Sequence, residues 1–167
     1  MMLDTVDVSS DLRAALRRLA KAVAIISCCY ENQRFAIAAT AVNEVSLQPP
    51  TMLACVNRQG SMHVPLSRDA AFCINILHES QAEISALCSG KAHGEMRFSQ
   101  GAWDFNDKGV PFLRDAQASI FCQTDLALSR GTHTVFIGNV FEVRQHGPVA
   151  PLVYVDGRYA ALASVDC

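Results

Sequence analysis

The sequence predicts a mainly β protein, an antiparallel barrel carrying its helices on the outside. About seven apolar or alternating runs of strand length recur along the 167 residues, most of them joined by short turns. Only two longer stretches have helical character, and no strand–helix–strand rhythm repeats. Near the C-terminus, Asp156-Gly157 stands between two short apolar runs, the signal of a two-residue hairpin.

The elements follow in order. Ser9-Ser10-Asp11 can cap a helix, and Leu12, Ala15, Leu16, Leu19 and Val23 recur behind it at helical spacing. Arg13, Arg17, Arg18 and Lys21 make a solvated basic face on that helix. Residues 23–30 read as a buried strand, Glu31-Asn32-Gln33 as a hairpin turn, and residues 34–38 as the returning strand. Small and polar residues then lead to Pro49-Pro50. Pro50 has no N–H and Pro49 is pushed out of the α region, so the pair fixes a turn before an apolar strand at 51–57. A strand edge lined by Ala, Thr, Asn and Ser leaves room for a flat ligand, whose polar rim backbone N–H groups can bond. A tight corner in a barrel would have the same composition.

Arg58-Gln59-Gly60-Ser61 is a polar loop ahead of a short helical piece at 62–68. Its N–H groups, Ser61 and Arg58 can cradle a phosphate, or form an ordinary capped turn. Residues 71–77 make a buried strand. Ser80-Gln81-Ala82-Glu83 reads as a capping box for a helix that runs to about Cys88 and stops at Gly90. The polar stretch 91–110, with the single tryptophan Trp103, has the length of a binding loop. Residues 116–128 and 134–143 are two long strands joined through Ser129-Arg130-Gly131-Thr132-His133, and residues 151–155 and 158–162 flank the Asp156-Gly157 turn.

Composition narrows the function. With 50% hydrophobic and 18% charged residues the chain is globular, and it is predicted to be one domain at 12–162 with tails at 1–11 and 163–167. A net charge of −2 gives no basic footprint for nucleic acid. The longest apolar runs, such as Ala22-Val23-Ala24-Ile25-Ile26, are too short for a membrane span, and the acidic start Met1 to Asp7 lacks the pattern of a signal peptide. The seven cysteines, Cys28, Cys29, Cys55, Cys73, Cys88, Cys122 and Cys167, contain no C-x-x-C and sit mostly in apolar runs. That predicts buried thiols in a reducing cytoplasm, without a disulfide frame or zinc site. His63, His78, His93, His133 and His146 lack ligand spacing, so no metal is expected. Rossmann, Walker A, G-x-S-x-G and H-E-x-x-H motifs are absent, and no nucleophile–base pair is evident. Either a bound organic cofactor supplies the chemistry or there is none.

Several motifs stand in a telling order. Ala39-Thr40-Ala41 leads through Val45-Ser46-Leu47 to Pro49-Pro50, and Asn57-Arg58-Gln59-Gly60-Ser61 follows a strand. Phe72-Cys73-Ile74-Asn75-Ile76-Leu77 precedes the Gln81 helix, then come Arg97-Phe98, Trp103 and Gly109-Val110-Pro111-Phe112-Leu113. Gly131-Thr132-His133 leads into Phe136-Ile137-Gly138-Asn139-Val140, and Pro151-Leu152-Val153-Tyr154 and Tyr159 close the chain. This order resembles the short-chain NAD(P)H:flavin reductases, the small components of two-component flavin-dependent monooxygenases, above all the phenol- and 4-hydroxyphenylacetate-hydroxylating kind.

The resemblance implies an antiparallel Greek-key split β-barrel (the FMN-binding split barrel), a homodimer, and hydride transfer from NADH or NADPH to FMN or FAD. A larger flavin-dependent monooxygenase component would receive the reduced flavin. Ala39, Thr40, Ala41 and Ser46 would lie against the isoalloxazine, with Cys55, Val56 and Asn57 flanking the ring. Ser61 would hold flavin phosphate, and Lys91 and Arg97 phosphate or ribityl. Gly131 and His133 would lie beside the nicotinamide, His133 holding it over the flavin, and Tyr154 and Tyr159 would contact cofactor. Many members carry Asp where this chain has Thr132. Apart from the resemblance, Thr40 and Ser46 read as turn hydroxyls, His133 as a packed or surface histidine, and Trp103, Tyr154 and Tyr159 as core or dimer-interface aromatics. Alternatives to the reductase are a tight-FMN barrel enzyme reducing a corrinoid or metal complex, and a non-catalytic flavin binder or electron carrier.

Overall fold

The computed structural model describes residues 8–164. Met1 to Asp7 and Cys167, and the sequence readings made on them, lie outside the described residues. Helix α1 (Val8–Leu16) is followed by strands β1 (Lys21–Ala22), β2 (Ala24–Tyr30), β3 (Gln33–Ala39), β4 (Val42–Leu47) and β5 (Pro50–Asn57). Then come α2 (His63–Ser67), β6 (Phe72–Ile76) and α3 (Ala82–Ala86). Strands β7 (Trp103–Phe105), β8 (Pro111–Leu113), β9 (Ala118–Arg130), β10 (His133–Gln145), β11 (Val153–Val155) and β12 (Arg158–Ala160) complete the chain.

Seven strands form one antiparallel sheet in the order β3-β2-β6-β9-β10-β5-β4. Its two edge strands, β3 and β4, are consecutive in the chain and separated only by Thr40 and Ala41. Ala39 and Val42 are three residue steps apart, about 11 Å at most, so the edges must come together and the sheet curls into a barrel. Yet β3 and β4 do not pair. The barrel is therefore split along that line, as the predicted fold class requires.

Strand β2 is buried on both faces. Ala24, Ile26 and Cys28 turn into the barrel against Val56, Met62, Leu66, Phe72, Ile74 and Phe136. Ile25 faces an outer layer with Leu77, Ile84, Leu113 and Leu152. Buried Asn75 ties the layers together: its amide donates to Ile25 O and Ser27 Oγ, both at 2.9 Å, and its oxygen accepts from Leu113 N at 2.8 Å. Strand β10 bulges at Ile137/Gly138. A Cβ on Gly138 would stand 2.8 Å from Cys122 Cβ and 2.9 Å from Phe72 Cζ, so only glycine lets these strands close.

Several sequence expectations need correction. Among the described residues there are twelve strands rather than about seven, because β1, β7 and β8 are too short to give a pattern and β4 is mostly polar. The first helix ends at Leu16, and Ser9, Ser10 and Asp11 lie inside it. Val23 belongs to the barrel, where its N–H donates to Leu152 O at 2.8 Å. The apolar face of α1 is not buried against the chain: Leu12, Leu16 and Leu19 are all exposed. Arg17 is solvated as expected and also pairs with Asp156 at 2.9 Å, which ties the end of α1 to the β11–β12 turn. The capping box sits two residues earlier than predicted, with His78 as its cap and Gln81 as its return partner. Beyond α3 the backbone widens into one π turn, Leu87–Lys91, which Gly90 ends at φ 118°.

Candidate functional site

The split in the barrel opens a cleft of about 380 Å³. One wall is the end of β3 and its corner, Ile37 to Ala41, and the other is the end of β5, Cys55 to Asn57. Gly60, the π turn at Cys88, Ser89 and Gly90, Arg97 and His133 close the rest. The volume lies in the range of about 300–1,000 Å³ usual for small-molecule sites.

Of the predicted site residues, Ala39, Thr40, Ala41, Cys55, Val56, Asn57, Arg97 and His133 meet here. Strand pairing is the cause, for β5 and β10 register His133 opposite Asn57. The β9–β10 turn is Gly131-Thr132, with Gly131 at φ 57°, where glycine is favoured. Arg58 N donates to Thr132 O at 2.9 Å and holds this hairpin tip against the loop after β5. The Thr132 hydroxyl lies 2.9 Å from His133 Nδ1, so it orients the imidazole.

Arg97 reaches the cleft from the short 3₁₀ segment Gly94–Phe98. Its Nε donates to Ala92 O at 2.9 Å, and its Nη1 donates to Ala36 O at 2.6 Å and Ser61 Oγ at 3.3 Å. A guanidinium has five N–H protons. The two on Nη2 have no acceptor among the described residues and remain for an anionic ligand.

The other predicted residues lie elsewhere. Ser61 lines an adjoining cavity, on the far side of Arg97. Tyr154 and Tyr159 line a third hollow of about 250 Å³ that shares Ala38, Ala39, Thr40 and Ser89 with the cleft. Their rings meet edge to face at 5.6 Å, and the Tyr159 hydroxyl donates to Ser85 Oγ at 2.9 Å. Ser46, Lys91 and Gly131 do not line the cleft. Ser46 Oγ accepts from Gln48 N at 3.0 Å, a local turn bond. Sequence reasoning missed Ile37, Ala38, Gly60, Cys88, Ser89 and Gly90. The Ser89-Gly90 pair carried a signal, since a glycine closing a helix also exposes backbone, but it reads as a plain stop.

The cleft's chemistry is that of a binding surface. Among the described residues no group of three or more His, Cys, Asp or Glu could hold a metal ion. Burial pushes the Cys88 thiol up to about 11, so at neutral pH it stays protonated and is no nucleophile. The alanines at 38, 39 and 41 leave a low wall on which a planar ring can lie. The N–H groups of Thr40 and Ala41 make no backbone hydrogen bond among the described residues, so the corner offers two donors to a ligand rim. A wall of small residues, free N–H donors and a cation at one end are a combination that a flavin can use.

Comparison with known proteins agrees. The model of the flavin reductase like domain matches residues 16–163. The reductase component of an FADH(2)-dependent resorcinol hydroxylase from Rhizobium sp. (strain MTP-10005) is 35% identical over 156 residues, covering 92% of this chain and 87% of that protein. The FMN reductase (NADH) RutF of Agrobacterium fabrum (strain C58 / ATCC 33970) is 36% identical over 154 residues, covering 92% and 88%. In structure, the styrene monooxygenase flavin reductase (SMOB) of Pseudomonas putida S12 superposes with a TM-score of 0.83 at 26% identity, covering 93% of this chain and 99% of that one. With a family match across nearly the whole barrel and a cleft of flavin-accepting shape, the chain belongs to the flavin reductase like family.

Proposed function

We propose that this chain is an NAD(P)H:flavin oxidoreductase that takes hydride from NADH or NADPH, passes it to FMN or FAD, and releases reduced flavin to a larger monooxygenase component. The observation that carries the reading is the cleft at the barrel's split, with small residues on its wall, unused N–H donors at Thr40 and Ala41, and Arg97 and His133 on its rim. The names of the relatives support it.

A flavin bound in the cleft supplies the hydride-accepting chemistry. What the chain adds is position and polarity. Ala39, Thr40 and Ala41 support one face of the ring, and Cys55, Val56 and Asn57 flank it. The N–H groups of Thr40 and Ala41 would donate to the polar edge of the bound ring, and fixed backbone donors of this kind stabilise developing negative charge without reorganising. His133, held by Thr132, would pack beside the nicotinamide and help to position it over the flavin. Arg97, with Ser61 behind it, holds the phosphate. No side chain need give or take a proton in the hydride step, which suits a cleft whose buried thiol stays protonated.

The unit doing this work is the barrel domain at 12–162. It pairs with a second copy: Val45 and Leu47 on β4 and Leu126 and Leu128 on β9 are exposed apolar residues on strands beside the cleft. Ser46, Lys91, Gly131, Tyr154 and Tyr159 serve the cofactors in that assembly or through the adjoining hollows. The six free thiols among the described residues suit a reducing cytoplasm. No helix among the described residues is long and apolar enough to cross a membrane. The test is steady-state oxidation of NADH and of NADPH with added riboflavin, FMN or FAD. Saturable, flavin-dependent oxidation is expected, and its absence with every pair would end the reading.

A further inference from the structure

The β9–β10 hairpin that carries His133 is fastened to the segment after β5 at three points. Two belong to Arg58, whose N–H donates to Thr132 O at 2.9 Å and whose Nη1 donates to Gly131 O at 3.5 Å. Arg58, Gly131 and Thr132 are exposed, so water competes for both links. The third comes from the start of α2. His63 Nε2 lies 2.9 Å from Thr134 Oγ1, which lies 2.9 Å from Ser129 Oγ on the opposite strand. Thr134 is almost fully buried, and this link alone is shielded from solvent.

Thr134 adjoins His133, and successive side chains on a strand point to opposite faces. Holding Thr134 inward sets the rotation of β10 about its own axis, which turns the His133 imidazole to the rim of the cleft. Phe136 shares Thr134's face two positions on, and the His63 ring meets the Phe136 ring edge to face at 5.6 Å. One half-buried histidine thus grips the inward face of β10 twice, by a hydrogen bond and by ring packing. The hydrogen bond is not needed to satisfy Thr134, because its hydroxyl keeps Ser129 as a partner when His63 is replaced. Folding alone therefore gives no reason for a polar ring at position 63.

We propose that His63 is a positioning residue for hydride transfer: through Thr134 it fixes the angle at which His133 meets the nicotinamide. The proposal rests on His133 serving the nicotinamide in the cleft.

The test is steady-state NADH oxidation at saturating flavin for wild type, His63→Phe, His63→Gln, Thr134→Val and the double variant His63→Phe/Thr134→Val, with flavin Kd from fluorescence titration. His63→Phe keeps a ring against Phe136 and removes the hydrogen bond, whereas His63→Gln puts an amide nitrogen close to the place of Nε2. His63→Phe should lower kcat/KM for NADH about tenfold, mostly in kcat, and leave flavin Kd within about twofold. His63→Gln should regain most of the rate. Thr134→Val should cost the same factor as His63→Phe, and the double variant no more than either, since both cut one link. An unchanged kcat/KM in His63→Phe, a His63→Gln as slow as His63→Phe, single losses that multiply in the double variant, or flavin Kd that weakens in step with kcat/KM each overturns the proposal while leaving the reductase intact. If His63→Phe does not fold, Thr134→Val decides: a tenfold loss with flavin Kd kept supports the proposal, and an undiminished rate overturns it. Absence of flavin-dependent oxidation in wild type removes this proposal together with the functional reading beneath it.

Discussion

Arg97→Ala separates the two tasks that the geometry gives one side chain. The first is to brace the cleft. Its bonds to Ala36 O at 2.6 Å and Ala92 O at 2.9 Å join β3 to the segment after the π turn. Bonds from a charged donor contribute about 1.5–3 kcal/mol each, and the half-buried side chain puts both at the low end. The expected loss of stability is about 3 kcal/mol, or roughly 6–12 °C in Tm for a chain of this size. The second task is to hold phosphate with the Nη2 protons. Losing it should weaken FMN relative to riboflavin by a further about 1.5–3 kcal/mol, which is about 10- to 150-fold in Kd. Arg97→Lys keeps the charge without the planar fork, so it should regain part of the FMN preference and little of the bracing. Urea unfolding measures the first quantity, and fluorescence titration of FMN against riboflavin measures the second. If both flavins weaken by the same factor, Arg97 is a strut alone and the phosphate does not lie against it.

Three further outcomes are expected. His133→Ala should lower kcat/KM for NADH about ten- to a hundredfold, about 1.4–2.7 kcal/mol, since small misplacements of reacting atoms are costly. Flavin affinity and Tm should barely move, because the side chain is exposed and bonded only to Thr132; early unfolding with normal hydride transfer would make it structural. Ser61→Ala should weaken FMN more than riboflavin by about 1.5–3 kcal/mol, and equal losses would return Ser61 to a turn role. The buried thiols give a pH test. Burial raises Cys28 to about 12, with the neighbouring Cys29 adding to it, and burial raises Cys122 to about 12 and Cys88 to about 11. Unfolded thiols ionise near about 8.5. The unfolded state therefore sheds protons that the folded state keeps, and unfolding free energy from urea titrations should fall as pH rises from about 8.5 toward 11. A flat profile would contradict it.

The barrel was largely legible because its central strands are self-announcing. Residues 24–30, 72–76 and 118–124 are apolar runs buried on one or both faces, and Asp156-Gly157 marks its hairpin unaided. Strand β4 was not legible. Asn43, Glu44, Val45 and Leu47 are exposed on an edge strand paired on one side only, so neither composition nor alternation marks it. Val23 fitted both the helical spacing before it and the buried run at 23–30, and its bond to the distant Leu152 puts it with the barrel. The site divides the same way. Composition left Thr40 open between a ligand edge and a barrel corner, and Asn57 became a ligand candidate only through resemblance, since locally it is a strand-end residue. That they share a cleft follows from the sheet closing on itself. Arg97 is set by carbonyls at 36 and 92, a relation no local window contains. Tyr154 and Tyr159 lie one wall away from the expected place because the wall, Ala38 to Thr40, has hollows on both of its sides.

The central claim is that reduced nicotinamide hands hydride to a flavin held where β3 and β4 part. It is tested most directly by mixing the purified chain anaerobically with NADH and a large excess of free flavin, and following the flavin's visible absorbance. Expected is bleaching of many flavin equivalents per chain, slowed in His133→Ala and Arg97→Ala. Bleaching no faster than in the protein-free mixture, or bleaching that stops after one equivalent per chain, would contradict it.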